Sequence, residues 1–319
     1  MADGVRPVVA VTGAGGLVGV VTVRALVESG FAVRRLSRSA SPSGDPSTAL
    51  LPAFDAPDSA FEQALAGATH VVHSAGLTNA DAATRESDFI NANVRLTDRL
   101  ARAAERVTVG RFVFISSIRA VAGQDFQGTI DATTEPAPTC AYGRSKRQGE
   151  LAATEAFGGS PHRLGILRPA PVYGRGMKGN LGKLLKLAET PYPLPLGGLS
   201  NRRTLLDVEA LARAVVHLLT TPAPVQGAFI VSDKEPVAIA EIVAAFRAGM
   251  GRPPGLLAVP PRLLEGIAAL AGRRQGLRGI FAEEICDPSA LEGTGWIATR
   301  SSIGGLAALA RPPQAGATP

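Results

Sequence analysis

Cysteine is nearly absent from this 319-residue chain. Cys140 and Cys286 stand far apart and show no metal-ligand spacing, which predicts two free thiols in a reducing cytoplasm and no metal site. No apolar run reaches the ~18 residues that a membrane span needs. The start, Met1 to Pro7, is polar and leads directly into an apolar run, so no secretory signal is expected. Net charge is +6, yet no block of Lys and Arg is interleaved with aromatics, so nucleic-acid binding is not expected. The basic balance instead suits a cleft for anionic ligands. Gly 36 and Pro 24 are numerous but scattered, and mark turns rather than low complexity. At 45% hydrophobic and 19% charged, the chain is of ordinary globular composition, long enough for one large domain or two intimate ones.

What is present begins with the apolar run Val8 to Thr12, followed at once by Gly13-Ala14-Gly15-Gly16-Leu17-Val18-Gly19 and a helical pattern from Val20 to Ser29 that Gly30 closes. Strand, glycine turn and helix in this order are the context that gives a glycine triplet its meaning. Gly13 permits the tight turn, Gly16 the approach of a pyrophosphate, and Gly19 the packing of helix on strand. The helix N-terminus offers unpaired N–H groups to phosphates. Phe31 to Leu36 reads as a second strand. An acid at its end would bind both ribose hydroxyls of NAD, but the sequence offers only Ser37 and Arg38, which suit a 2′-phosphate and lean slightly towards NADP over NAD.

Leu50 to Phe54 reads as a third strand ending at Asp55, an acid suited to the adenine amino group. Asp58 reads as the N-cap of a short helix to Ala66. Thr69 to Gly76 is a fourth strand running into Ser74-Ala75-Gly76, small residues that let the backbone pass close beneath a cofactor ribose. His70 and His73 have no partner carboxylate in view and are read as structural. Asn91 to Val94, with Asn93, opens or interrupts a helix from about 85 to 106. Arg111 to Ile115 is a fifth strand that delivers Ser116 and Ser117 to the crevice where ligands of such sheets bind. A helix beginning at Pro138-Thr139 carries Tyr142 and Lys146, one turn apart on one face. An ammonium there favours the phenolate of Tyr142, which can then move a proton on a substrate hydroxyl while a hydride passes to or from a cofactor. Arg163 to Pro169 is a sixth strand. Strands alternating with helices imply an α/β fold, a Rossmann-type doubly wound parallel sheet in residues 1–170, with a smaller α/β substrate domain in 171–319 that is partly interleaved with the first.

This ordered set of motifs resembles the extended short-chain dehydrogenase/reductases, in their NAD-dependent epimerase/dehydratase branch. The resemblance implies that Ser117, Tyr142 and Lys146 are catalytic, that Pro169 onward lies over the nicotinamide, and that the cofactor contacts include Gly13, Gly16, Leu17, Gly19, Ser74, Ala75, Gly76 and Asn93. Gly179-Asn180-Leu181 opens a helix for which Asn180 is a natural N-cap, and the resemblance makes Asn180 and Arg203 contacts of a substrate diphosphate. Asp207 caps the helix to Leu219, Ala228 to Ser232 is a strand, and Ile239 to Met250 an amphipathic helix. Gly295-Trp296 resembles the family's C-terminal closure, and the tail from Arg311 reads as frayed.

Two departures narrow the reaction. Ser117 is followed by Ile118-Arg119, where the branch's dehydratases carry Asp-Glu, which argues against a 4,6-dehydratase. The loop Ala120 to Gly123 is one residue longer than the family's pattern. The expectation is a nucleotide-sugar 4-epimerase, acting through a 4-keto intermediate on a UDP-hexose or UDP-N-acetylhexosamine of surface-polysaccharide synthesis. The alternatives are an NADPH-dependent 4-keto-sugar reductase, a hydroxysteroid- or flavonol-type reductase, and a non-catalytic NADP-binding sensor. The resemblance also implies a homodimer through the helices near residues 85–106 and 139–157.

Overall fold

The computed structural model describes residues 6–39, 47–78, 84–270, 282–298 and 301–312. In chain order, β1 (Val8–Thr12) leads to α1 (Leu17–Glu28), β2 (Ala32–Ser37), β3 (Thr48–Leu50), α2 (Asp58–Leu65), β4 (His70–His73), α3 (Glu86–Ile90), a π-helical turn Asn91–Arg95, α4 (Leu96–Val107) and β5 (Phe112–Ile115). A 3-10 turn, Ile118–Ala120, precedes β6 (Gly128–Ile130), α5 (Ala141–Ala156), β7 (Leu164–Pro169), β8 (Val172–Tyr173), α6 (Gly179–Glu189), β9 (Arg202–Arg203), β10 (Leu206–Asp207) and α7 (Val208–Thr220). Then come β11 (Gly227–Val231), β12 (Val237–Ala238), α8 (Ile239–Gly249), α9 (Pro261–Leu270), β13 (Glu284–Cys286), and helices Ser289–Glu292 and Ser302–Leu309.

Seven strands form one parallel sheet in the order β11-β7-β5-β4-β1-β2-β3. The chain winds outward from β1 in both directions, so a crevice opens beyond the carboxyl ends of β1 and β4. Alternation along the strands feeds two cores. Val9, Val11, Val72, Val113 and Leu167 pack against Val23 and Leu26 of α1 and Leu211 and Val215 of α7. Ala10, Val71, Phe112, Phe114 and Ile166 face α2, α4 and α5 through Phe61, Leu65, Leu100 and Ala153. This is the doubly wound α/β fold expected from the sequence. A third cluster joins Leu181 and Ala188 of α6 to Ile242, Val243 and Phe246 of α8 and Leu306 of helix Ser302–Leu309. Residues from the second half return to the large sheet as α7 and β11.

A four-stranded sheet, β12-β9-β13-β6, ties distant stretches together. Glu284, Ile285 and Cys286 pair in parallel with Gly128, Thr129 and Ile130, and Arg203 pairs with Glu284.

Several local expectations need correction. The third strand is Thr48–Leu50, not Leu50 to Phe54, because register with β2 places Thr48, Ala49 and Leu50 opposite Arg35, Leu36 and Ser37, and Pro52 has no N–H with which to continue. The first helix begins at Leu17, straight out of the glycine turn. Asp58 is the first residue of α2 and Pro57 its N-cap; the Asp58 carboxylate meets Arg99 at 2.9 Å and Arg106 at 3.3 Å. β4 ends at His73, because Ser74 Oγ donates to the Thr12 carbonyl at 2.7 Å and the Ala75 N–H to Thr12 Oγ1 at 3.2 Å, which folds residues 74–78 over the end of β1. Asn180 lies within the first turn of α6, whose N-cap is Lys178. The interruption expected at Asn91 to Val94 is the π-helical turn, and Asp207 caps α7 by accepting from the Glu209 N–H at 3.0 Å. Beyond Pro312 the tail lies outside the described residues.

Candidate active site

A cleft of about 1830 Å³ opens at the crevice. Its wall begins with the glycine turn. Gly13 has φ +69°, and a Cβ there would stand 2.6 Å from the Ala75 N, so the turn touches the segment after β4 as well as reversing the chain. At Gly19 a Cβ would overlap the Gly13 carbonyl, so this glycine lets α1 sit on the turn. The N-cap of α1 is Gly16, with no side-chain cap and no acid in the first turn. Its free N–H groups and the positive end of the helix dipole fit a pyrophosphate. The N-terminus of α6, equally without a side-chain cap or acid, lines the same cleft through Lys178, Asn180 and Leu181.

Among the residues singled out from the sequence, the cleft brings together Gly13, Gly16, Leu17, Gly19, Ser74, Gly76, Asn93, Ser117, Tyr142, Lys146, Pro169, Asn180 and Arg203. Ser37, Arg38, Asp55 and Ala75 do not line it. Arg38 and Asp55 are exposed, Ser37 closes β2, and Ala75 is spent on Thr12.

The two serines after β5 have different fates. Ser116 Oγ donates to Glu150 at 2.6 Å and is buried, whereas Ser117 lines the cleft with Tyr142. Ser117 Oγ also accepts the Arg119 N–H at 3.1 Å, which starts the 3-10 turn. Burial raises the pKa of Tyr142, opposed by the Ser117 hydroxyl and the positive charge of Arg119. Lys146 is 4% exposed; its Nζ donates to the Ile115 carbonyl at 2.6 Å and stands 4.2 Å from the centre of the Phe114 ring. Burial lowers its pKa to about 7, with Glu150 acting in the opposite sense. The expected pull of Lys146 on the phenol is thus supplied in this geometry by Ser117 and Arg119, because the ammonium is turned to a carbonyl and a ring.

A Lys whose pKa falls from 10.5 to about 7 on folding makes the native state bind fewer protons than the unfolded chain between those values. Stability from this group is therefore present at high pH and lost as pH falls through that window. Lys146→Met removes the dependence. The variant should gain stability relative to the parent as pH drops from about 10 to about 7, with a constant difference below, as read by urea denaturation at each pH.

Some of the supporting residues escaped the sequence reading. His73, read as structural, proves to be the middle of a buried chain. Thr97 Oγ1 donates to the Asn93 carbonyl at 2.8 Å, so it accepts from His73 Nε2 at 2.9 Å, which leaves His73 Nδ1 to accept from Thr12 Oγ1 at 2.7 Å. This chain needs a neutral imidazole, and burial lowers the His73 pKa to about 3. Asn93 in turn clasps Leu77, accepting from its N–H at 2.8 Å and donating to its carbonyl at 2.9 Å, so it holds the 74–78 segment against the cleft. Gly149 lets α5 approach the Asn93 carbonyl, where a Cβ would not fit. One turn beyond Lys146, Glu150 is 1% exposed and takes a bidentate pair from Arg168 at 2.9 and 2.8 Å. At the far end of the cleft, Arg119 pairs with Glu284 at 2.6 Å and donates to the Gly123 carbonyl. The Glu284 Oε2 is buried and has no hydrogen-bond partner among the described residues. Arg203 lies beside this pair, and burial lowers its pKa. No local pattern announces these contacts, since Arg119 and Glu284 are 165 positions apart.

A nucleotide-binding turn that shares its cleft with a hydroxyl, a phenol and an ammonium is the equipment of an NAD(P)-dependent enzyme. The chain belongs to the NAD dependent epimerase/dehydratase family, which matches residues 9–231. It is 32% identical over 206 residues to a UDP-glucose 4-epimerase of Vibrio cholerae, a match covering 63% of this chain and 62% of that protein, so it spans about three fifths of that relative's length. It is 31% identical over 270 residues to a ceramide reductase of Caulobacter vibrioides, covering 82% of this chain and 76% of the relative. Its fold superimposes on a UDP-N-acetylglucosamine 4-epimerase from Bacillus cereus with a TM-score of 0.75, at 19% identity, over 96% of this chain and 100% of that one.

Proposed function

We propose that the chain is a nucleotide-sugar 4-epimerase that works through a 4-keto intermediate on a UDP-hexose or UDP-N-acetylhexosamine. The observation that carries this reading is that Ser117, Tyr142 and Lys146 line the same cleft as the glycine turn. The nicotinamide dinucleotide that the uncapped N-terminus of α1 fits supplies, when bound, the hydride acceptor and a positive charge. Tyr142 takes the proton of the sugar hydroxyl as the carbon loses its hydride, and Ser117 holds the same oxygen. Arg119 offsets the negative charge on the phenol. Return of proton and hydride on the other face of the ketone completes the epimerisation. Asn180 and Arg203, with the N-terminus of α6, hold the substrate diphosphate. In this reading residues 1–170 bind the cofactor and 171–319 the substrate, and the active form is a cytoplasmic homodimer.

The second reading is an NADPH-dependent ketone reductase. It is favoured by Arg38 after β2, where no acid stands to read the ribose, and by the likeness to the Caulobacter reductase. One experiment separates them. Mass spectrometry of ligand released on denaturing the purified protein is expected to find NAD, and UDP-glucose or UDP-N-acetylglucosamine is expected to convert to its 4-epimer with no net change at 340 nm (the absorbance of reduced nicotinamide). NADPH consumed in step with a keto sugar would establish the reductase instead.

A further inference from the structure

The cations of this protein are unevenly partnered. On the nucleotide-binding half, Arg24 is matched by Glu209, Arg99 by Asp58, Arg102 by Asp98 and Glu155, Arg106 by Glu62, and Arg144 by Glu86. Between Gly174 and Ala188, by contrast, the chain carries Arg175, Lys178, Lys183 and Lys186 and no acidic residue. None of the four forms an ion pair among the described residues. Arg175, Lys178 and Lys183 are exposed on the rim of the cleft, and Lys186 is exposed outside it.

Large apolar side chains are exposed beside these cations. Leu187 sits on the rim, one residue after Lys186. Tyr192 is 72% exposed, Leu257 53% and Leu263 57%, and none of the three lines the cleft. They belong to one neighbourhood. Tyr192 follows α6 by three residues, and the Leu257 N–H donates to the Leu194 carbonyl at 2.8 Å. Leu264, next to Leu263 in α9, packs in the same cluster as Leu184 and Leu185 of α6. No charged residue occurs from Pro253 to Pro261, and Arg252 and Arg262 bracket that stretch.

We propose that this face docks on an anionic phospholipid bilayer, with the rim of the cleft turned to the headgroups. A soluble anionic ligand accounts for cations inside the cleft, but not for Lys186 or for apolar side chains set outside it. A bilayer accounts for both, since cations meet lipid phosphates while Leu187, Tyr192, Leu257 and Leu263 enter the headgroup boundary. The docking does not depend on which hydroxyl the cleft oxidises.

Vesicle flotation of the intact protein tests it, with pure phosphatidylcholine vesicles and vesicles in which a third of the lipid is phosphatidylglycerol. Binding is expected only to the anionic vesicles and is expected to fall at high salt. Each cation near the surface is worth about fivefold in partitioning, so Lys183→Glu/Lys186→Glu should weaken binding by at least about 25-fold. Leu257→Ser/Leu263→Ser should weaken it without changing net charge. Arg6→Glu/Lys234→Glu makes the same change in net charge elsewhere and should leave most binding intact. Absence of binding to anionic vesicles, or equal loss in the Arg6/Lys234 pair, would overturn the proposal. The assay reads binding alone, so either result leaves the reading of Tyr142 and Ser117 where turnover assays put it.

Discussion

Tyr142→Phe is expected to lose about 10²–10⁴-fold in kcat, the range for removing a positioned general acid–base group, with little change in KM or in thermal midpoint. Tyr142 lines the cleft with Ser117, while its ring centre lies 6.4 Å from that of Phe89, so Phe preserves the packing and removes only the proton carrier. The measurement is turnover of a panel of UDP-sugars and keto sugars beside a melting curve for each protein. Unchanged turnover in a folded variant would sink the catalytic assignment. A lost melting transition would instead make the phenol structural. Ser117 supplies a check, because Ser117→Ala should lower kcat with the same sign while leaving Glu150 its bond from Ser116.

Glu150→Ala is expected to cost about 3–5 kcal/mol of stability, since it leaves the Arg168 guanidinium buried without its carboxylate. It also strands Ser116 and removes the Oε2 that Arg147 and Arg168 share. Urea denaturation gives the value. Adding Arg168→Met to Glu150→Ala should recover most of it, because the cost lies in the unpaired charge more than in the lost pair. If the double variant is as unstable as the single one, the pair is not what Glu150 contributes. The substitution also reaches the site. Glu150 holds the Lys146 pKa up against burial, so its removal should move any pH dependence that Lys146 imposes to lower pH.

The cofactor end was legible in the sequence because it is made locally. Gly13, Gly16 and Gly19 lie within seven residues, and Tyr142 and Lys146 share a helix turn. Short apolar runs marked most of the large sheet. The third strand was misplaced because its register is set by β2 across a loop, not by its own three residues. The role of Asp58 was misread because its partners, Arg99 and Arg106, lie on another helix. The His73 chain and the Glu150–Arg168 pair were out of reach for the same reason. Each joins residues whose spacing carries no period, and only the packed sheet brings them within hydrogen-bond distance.

The small sheet β12-β9-β13-β6 divides the site into two kinds of heredity. In the proposed reading the dinucleotide end centres on one continuous βα turn, which the 74–78 segment touches at Gly13. The substrate end of that reading draws, besides the N-terminus of α6, on three stretches that this sheet ties together: the one after Ser117, the pair Arg202–Arg203, and Glu284 to Cys286. A substitution in any one is felt by the other two through shared strand register and the Arg119–Glu284 contact. In that reading, preference for a new sugar is acquired by matched changes at distant points of the gene, whereas the glycine turn is set within one stretch, Gly13 to Gly19.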